Sequence, residues 1–397
     1  MISSEKQKVL KLLEDSLHEK KTLKFENDEW EKIYSELKQQ CVYAVPYSVV
    51  NASNLDENKY FSYQDNVYHN IHIFYVIMKT QHEVMKLLES NGIKSVVLKG
   101  AAAAVNYPHP EYRCMGDIDL IVEPENFEKA FHCLCDAGYR TNESLENYVR
   151  HIKFHSKSGF IIELHNYFST SNSEQQNKVL DTYIYNGIAK SERITLSGFD
   201  ICILPVLENG LVLLAHINQH LGSGLGMRQI IDWSCFAEKY LDDKFWNESF
   251  SDAAEKIGMK RLAVIVTAMC QKYIGLRSDI TWTSELSDHS VCDELMEYVI
   301  EHGNFGRKKA EYSKAVSVLR YAENPVKFLK EAQKTGCRTW KALEKHKWLK
   351  PFALFYQTLR WIKRGRKSGM NVVSVIEASK KENYETELLR KIGVTRL

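Results

Sequence analysis

Arg113-Cys114-Met115-Gly116-Asp117-Ile118-Asp119-Leu120-Ile121-Val122 sets two carboxylates into an otherwise apolar β-type stretch. Residues at i and i+2 of a strand point to the same face, so Asp117 and Asp119 share one side while Ile118 and Leu120 turn to a core on the other. Carboxylates held side by side raise each other's pKa unless a cation neutralises them. An all-oxygen site of this kind suits Mg²⁺, which takes one or two carboxylates and completes its octahedron with water and substrate phosphates. The alternative for an Asp-apolar-Asp triplet is a solvated strand end whose aspartates cap a turn. The surroundings favour a metal site built on a rigid strand.

Upstream, Phe74, Ile77, Met78, Val84, Met85 and Leu88 recur at helical spacing, which predicts a helix from about Ile71 to Ser90, capped at Gly92. Ser95-Val96-Val97-Leu98 then reads as a short buried strand. Lys99-Gly100 leads into an alanine-rich helix, Ala101 to Val105, ended by Tyr107-Pro108-His109-Pro110. Downstream of the carboxylates, a helix is expected from about Pro124 to Gly138, with Phe127, Ala130, Phe131 and Leu134 on one face. Two strands follow, His151 to His155 and Phe160 to Phe168, joined by Lys157-Ser158-Gly159. Strands and helices in this order make a small sheet unit over about 93–205. Residues 1–92 and those after Pro205 read as helical.

The chain has 397 residues, 44% of them hydrophobic and 26% charged, which is the balance of a globular protein of two or three packed units. A net charge of +2 gives no general case for nucleic acid or membrane. Nine cysteines at irregular spacings do not form a disulfide framework, and Cys133 and Cys135 read as packing thiols. The start, Met1-Ile2-Ser3-Ser4-Glu5-Lys6, does not read as a signal peptide. With no apolar run long enough to span a bilayer, the expected location is a reducing cytoplasm. The stretch from Arg338 to Lys367 differs from the rest, with ten Lys/Arg against the single acid Glu344, interleaved with Trp340, Trp348, Phe352, Phe355, Tyr356 and Trp361. It suits a solvated helix first, an anionic membrane surface second and nucleic acid third.

A third carboxylate, Glu163, interrupts the apolar run Phe160-Ile161-Ile162-Glu163-Leu164-His165 as the aspartates interrupt theirs. Together the blocks Leu98-Lys99-Gly100, Arg113-x-x-Gly116-Asp117-Ile118-Asp119-Leu120 and Glu163-Leu164-His165 resemble the polymerase-beta-like nucleotidyltransferase superfamily. They are most similar to its bacterial family with L-K-G, G-D-[IL]-D and E-L-H motifs. Leu214-Ala215-His216, His220 and the run Gly224 to Trp233 extend the resemblance, which covers roughly residues 25 to 240. It implies an α+β fold: a small mixed-sheet nucleotidyltransferase core flanked by N-terminal and C-terminal helical regions. The corresponding division is 1–92 helical, 93–205 catalytic core, 206–335 helical, and 336–397 a basic aromatic helical segment. The activity implied is metal-dependent transfer of an NMP from an NTP to a hydroxyl acceptor, releasing pyrophosphate. The acceptor could be a small molecule, a sugar, a protein hydroxyl or a nucleic-acid end.

By the same resemblance, Asp117, Asp119 and Glu163 are the catalytic carboxylates and hold Mg²⁺ or Mn²⁺. Glu163 helps to deprotonate or orient the attacking hydroxyl. Gly100 and Ala101 bring backbone to the triphosphate at a helix start, with Ala101 where many members carry serine. On the residues themselves, Lys99 is either a phosphate contact or a strand-end lysine pointing to solvent, Arg113 either stabilises triphosphate charge or is structural, and Arg228 is a further candidate nucleotide-binding cation. Arg228 and Asp232, four apart on a helix, most simply form an intrahelical ion pair. His216 and His220 stand at i and i+4 without the glutamate of a zinc-peptidase motif, and read as interfacial histidines beside the cleft. His165 shares a strand face with Glu163 and either orients it or packs. The competing reading is a catalytically degenerate nucleotide-binding protein, or a nucleic-acid or membrane-docking partner acting through residues 338–367.

Overall fold

The computed structural model describes residues 3–20, 24–145, 150–169, 173–221, 224–304, 342–367 and 387–393, with residues 329, 332, 333, 336, 337 and 340. The chain forms two units, Met1–Phe305 with Lys391–Leu397, and Gly306–Arg390. In the first, three helices precede the sheet: α1 (Ser4–Leu17), α2 (Asn27–Gln39) and the long α3 (Glu57–Ser90). The strands are β1 (Ser95–Val97), β2 (Asp117–Val122), β3 (His151–His155), β4 (Ile161–His165), β5 (Glu192–Leu196) and β6 (Phe199–Ile203). They form one mixed sheet in the order β3-β4-β2-β1-β6-β5. β2 pairs parallel with β4 and antiparallel with β1, and β1 pairs parallel with β6. This is the α+β arrangement expected, with helices on both sides of the sheet in sequence.

Between the strands lie α4 (Ala101–Ala104), α5 (Phe127–Asp136) and α6 (Glu174–Ala189). One sheet face builds the core: Ile118, Leu120 and Val122 of β2 and Ile162 and Leu164 of β4 pack with Phe74, Ile77, Met78, Val84 and Leu88 of α3 and with Phe127, Ala130 and Leu134 of α5. Helix α3 is much longer than the expected 71–90. Asp56 caps its start by accepting from the amides of Asn58 and Lys59, and Tyr63, Val67 and Phe74 carry its buried face back towards that cap. The strand expected to run to Phe168 stops at His165. Cys133 and Cys135 pack partly buried against the core, and all nine cysteines are free thiols.

After the sheet come α7 (Val206–His220), α8 (Met227–Tyr240), α9 (Asp243–Phe245), α10 (Ser251–Lys256), α11 (Lys260–Ile274) and α12 (Ser290–His302). Every residue of α7 from Glu208 to Asn218 is buried, which marks it as a core helix. Gly210 lets it lie close to the aromatic packing around it, because a Cβ there would fall 2.4 Å from the Phe236 ring and 2.6 Å from Phe250. Residues 338, 339 and 341 of the basic stretch lie outside the described residues. In the second unit, α13 (Ala342–Lys345), a 3-10 turn (Lys347–Phe352) and α14 (Ala353–Lys367) are helical. Ala353 and Gln357 are buried there, while Trp348, Phe352, Phe355 and Leu359 are half or more exposed. Among the described residues, no helix is long and apolar enough to cross a membrane.

Candidate active site

Register assembles the carboxylates. In the parallel β2–β4 ladder Asp119 stands opposite Glu163, and in the antiparallel β3–β4 ladder Glu163 stands opposite Lys153. One row across three strands therefore reads Lys153, Glu163, Asp119, all on the face away from the core. Two residues further along, on the same face, His165 stands opposite His151. Asp117 lies two residues before Asp119 on the same face, and carboxylate oxygens of Asp117, Asp119 and Glu163 lie within 4.8 Å of one another. The three acids singled out in the sequence thus meet at one point. They open into a cavity of about 330 Å³ whose opposite wall comes from α7 and α8, through His216, His220 and Arg228. A hollow of about 590 Å³ on the outer face of α6 gathers no such convergent set.

The charges in this cluster are unevenly matched. Asp119 is buried, and one of its oxygens faces both the Lys99 ammonium at 2.8 Å and His165 Nε2 at 3.0 Å. Burial works against its charge, but Lys99 and His165 outweigh that and hold the carboxyl well below the usual range. Glu163 is likewise penalised by burial and repelled by Asp119; His165, Lys153 at 2.6 Å and His151 prevail and lower it to about 2. Asp117 goes the other way. The residue is exposed at the cavity mouth, yet desolvation of its carboxyl and the neighbouring Asp119 and Glu163 charges raise its pKa. A carboxylate destabilised by two others, with solvent access, is a site with positive charge still to be supplied. A hard divalent cation bound by oxygen fits this donor set.

The loop that leads into β2 is pinned from behind. Arg113 is buried, and its Nε and Nη2 donate to the two Asp232 oxygens at 2.7 Å each, a bidentate pair that Tyr107 Oη joins at 2.7 Å. Asp232 is therefore the partner of Arg113, and the expected Arg228–Asp232 intrahelical pair is replaced. A buried guanidinium fork matches a carboxylate better than a neighbour four residues away on a helix surface. Arg113 borders the cavity with its guanidinium fork engaged by Asp232. Arg228 instead reaches across, and its Nη1 donates to the Cys114 carbonyl at 3.2 Å. Lys99 does not point to solvent as a strand-end lysine would; it lies on Asp119.

Gly100 has φ +53° and ψ −108°, a conformation closed to residues with a Cβ, and this lets the chain turn sharply from β1 into α4. α4 is a single turn, and the amides of Ala102, Ala103 and Ala104 are engaged within it, bonding to Lys99 and Gly100 carbonyls. So short a helix adds little dipole. Ala101 is buried in the core, which accounts for the absence of a polar side chain at the position where serine was looked for.

With this geometry in place, the comparison with known proteins is specific. The profile of a family described as uncharacterised nucleotidyltransferase matches residues 26–275. The chain belongs to that family. Its structure is also similar to the crystal structure of an antigenic nucleotidyltransferase-like protein from Paracoccidioides brasiliensis, at 15% identity and a TM-score of 0.32, over 52% of this chain and 96% of that one. No curated protein matches the sequence.

The structure also brings in residues that the sequence pattern did not single out. Arg150, just before β3, lines the cavity, bonds Gln219 Oε1 at 3.3 Å and lies over the Phe168 ring at 5.5 Å. His151 and Lys153 join Glu163 from β3. The available signal was the alternation His151-Ile152-Lys153-Phe154-His155, which gives the strand one polar face beside the acids. His216 and His220, expected near the cleft, line it and bond each other through Nε2 at 3.0 Å. Burial and the charges of His220, Lys99 and Arg228 keep His216 neutral, well below its ordinary pKa.

Proposed function

We propose that the protein transfers a nucleoside monophosphate from an NTP to a hydroxyl acceptor with release of pyrophosphate, using Mg²⁺ or Mn²⁺. The observation that carries this reading is the meeting of Asp117, Asp119 and Glu163 from two adjacent strands, in a cavity also lined by Lys99, Arg150 and Arg228. Asp117 and Asp119 would hold the ion, with Glu163 as the third carboxylate. Such an ion supplies charge stabilisation to the reacting phosphoryl oxygens, and little else is needed, because this chemistry is mostly positioning and electrostatics.

The remaining work falls to side chains of this chain. Arg228, from α8, and Arg150, from the segment before β3, offer charge to the triphosphate. Lys99, now on Asp119, is close enough to turn to a phosphate. The Arg113–Asp232 pair fixes the Gly116-Asp117 approach. Glu163, on the same sheet face as Asp117 and Asp119, orients the attacking hydroxyl by accepting its hydrogen bond. In the reaction the hydroxyl oxygen bonds the α-phosphorus, the bond from that phosphorus to the bridging oxygen of the β-phosphate breaks, and the hydroxyl proton leaves to solvent.

Calorimetric titration of each of the four NTPs with Mg²⁺ or Mn²⁺ tests the reading. Metal-dependent binding is expected in the wild type and at least about tenfold weaker binding in Asp117→Asn/Asp119→Asn, a change of about 1.4 kcal/mol. Absence of binding by any NTP to folded wild type overturns it.

A second, additional reading is peripheral attachment to an anionic membrane. It is favoured by the exposed Trp348, Phe352, Phe355 and Leu359 on a helical stretch, Lys347 to Lys367, that contains no acidic residue. Sedimentation with phosphatidylserine-containing vesicles, but not with phosphatidylcholine alone, is expected, with binding lost in Phe355→Glu/Leu359→Glu. Equal sedimentation of both forms excludes this surface.

A further inference from the structure

We propose that His151, Glu163 and His165 form a nitrogen-rich cation position of their own, which takes a divalent ion of the zinc type rather than Mg²⁺. The inference deepens the reading above, since Glu163 would serve both this position and the three-carboxylate site. The donors come from two hydrogen-bonded strands: His151 of β3 is the register partner of His165 of β4, and Glu163 precedes His165 by two residues on the same face. His151 Nε2 lies 3.7 Å from Glu163 Oε1 and His165 Nε2 lies 3.6 Å from Glu163 Oε2. One donor atom from each residue falls within 4.8 Å of the others. An ion bonded at about 2.0–2.2 Å to nitrogen and oxygen draws its ligands roughly 3–4 Å apart. The cluster therefore needs only small side-chain adjustments to close on one ion.

The chemistry of the set separates it from the carboxylate trio. Mg²⁺ takes oxygen and keeps its water, whereas imidazole suits zinc-like ions, and two histidines with one carboxylate is a recurring zinc set with open positions. Packing does not explain why a histidine stands at 151. Among the described residues its ring makes no hydrogen bond, its Nε2 lies 3.7 Å from Glu163, and its Nδ1 is buried without a partner. An apolar residue would avoid leaving a buried polar atom unpaired. Two contacts give way when an ion enters. Lys153, on Glu163 Oε1 at 2.6 Å, is 44% exposed and can swing into solvent. The 3.0 Å contact between His165 Nε2 and Asp119 is exchanged for the metal.

Co²⁺, whose visible absorption reports its ligands, is the probe, with Zn²⁺ and Mg²⁺ as competitors. His151 is the residue to change, because His165 is fully buried and its replacement risks the fold. The expected result is stoichiometric Co²⁺ binding to the full chain, displaced by Zn²⁺ but not by a large excess of Mg²⁺. In His151→Gln the absorption should change and the affinity fall at least about tenfold. Displacement of Co²⁺ by Mg²⁺, an unchanged spectrum and affinity in His151→Gln, or no Co²⁺ binding at all overturns the inference. Titrating an NTP with Mg²⁺ on His151→Gln separates the two readings. Nucleotide binding that persists while Co²⁺ binding is lost leaves the carboxylate site standing. Histidine-dependent Co²⁺ binding in a protein that binds no NTP leaves this position standing alone.

Discussion

Asp119→Asn is expected to reduce pyrophosphate release from an NTP, in the presence of hydroxyl acceptors, by at least about 1,000-fold, or about 4 kcal/mol of transition-state stabilisation. The size follows from its place in the row. Asp119 is the buried centre of the cluster, opposite Glu163 and two residues from Asp117, and Lys99 and His165 converge on one of its oxygens. The amide keeps the shape but removes the charge that all of these groups, and any bound cation, answer to. The alanine variant is a poorer probe, because it leaves the Lys99 ammonium and the His165 ring facing each other without their anion and so confounds chemistry with stability. More than a tenth of wild-type activity in Asp119→Asn would remove Asp119 from the proposed chemistry. Circular dichroism and a denaturation curve on the same sample separate a dead site from an unfolded one.

Asp232→Ala should destabilise the protein by about 3–5 kcal/mol in chemical denaturation, the cost of leaving a buried charge without its partner. Arg113 would lose both of its strongest bonds and Tyr107 Oη its acceptor, all beyond the reach of water. Arg113→Lys should recover little, because an ammonium cannot offer two parallel N–H groups to one carboxylate. Replacing the pair by apolar residues, Arg113→Met with Asp232→Leu, should restore much of the loss, since isosteric apolar substitutes for buried ion pairs are often neutral. A loss below about 1 kcal/mol in Asp232→Ala would show that other contacts hold the loop before β2.

The sheet was legible where apolar runs were interrupted by something that runs of their kind exclude. Asp117, Asp119 and Glu163 stood out for that reason, and parallel pairing of their strands brought them together as their common face required. The β5–β6 hairpin was not read, although its signal was present. Ser197-Gly198 is a two-residue turn with φ of +52° and +86° between two alternating stretches, and Asp200 even interrupts the apolar run Phe199 to Ile203, but it is a lone acid with no second carboxylate at i+2. The Arg113–Asp232 pair was missed for a different reason. Spacing along a helix suggests neighbours four apart, and it is silent about a partner 119 positions away in sequence. Arg150 reaches the cavity only because of where β3 begins at the sheet edge, which no local pattern around it encodes.

The register of β2 against β4 has one more consequence. The same alternation that sends Ile118, Leu120, Ile162 and Leu164 into the core sends Asp117, Asp119 and Glu163 out of it. A slip of one residue would drive the carboxylates into the apolar layer and the aliphatics into the cavity. The fold thus proofreads its own site: a chain that has buried its core correctly has already aligned its three acids. Mutations deep in that core, on the far face of the sheet and out of reach of any substrate, are therefore mutations of the site's geometry as well.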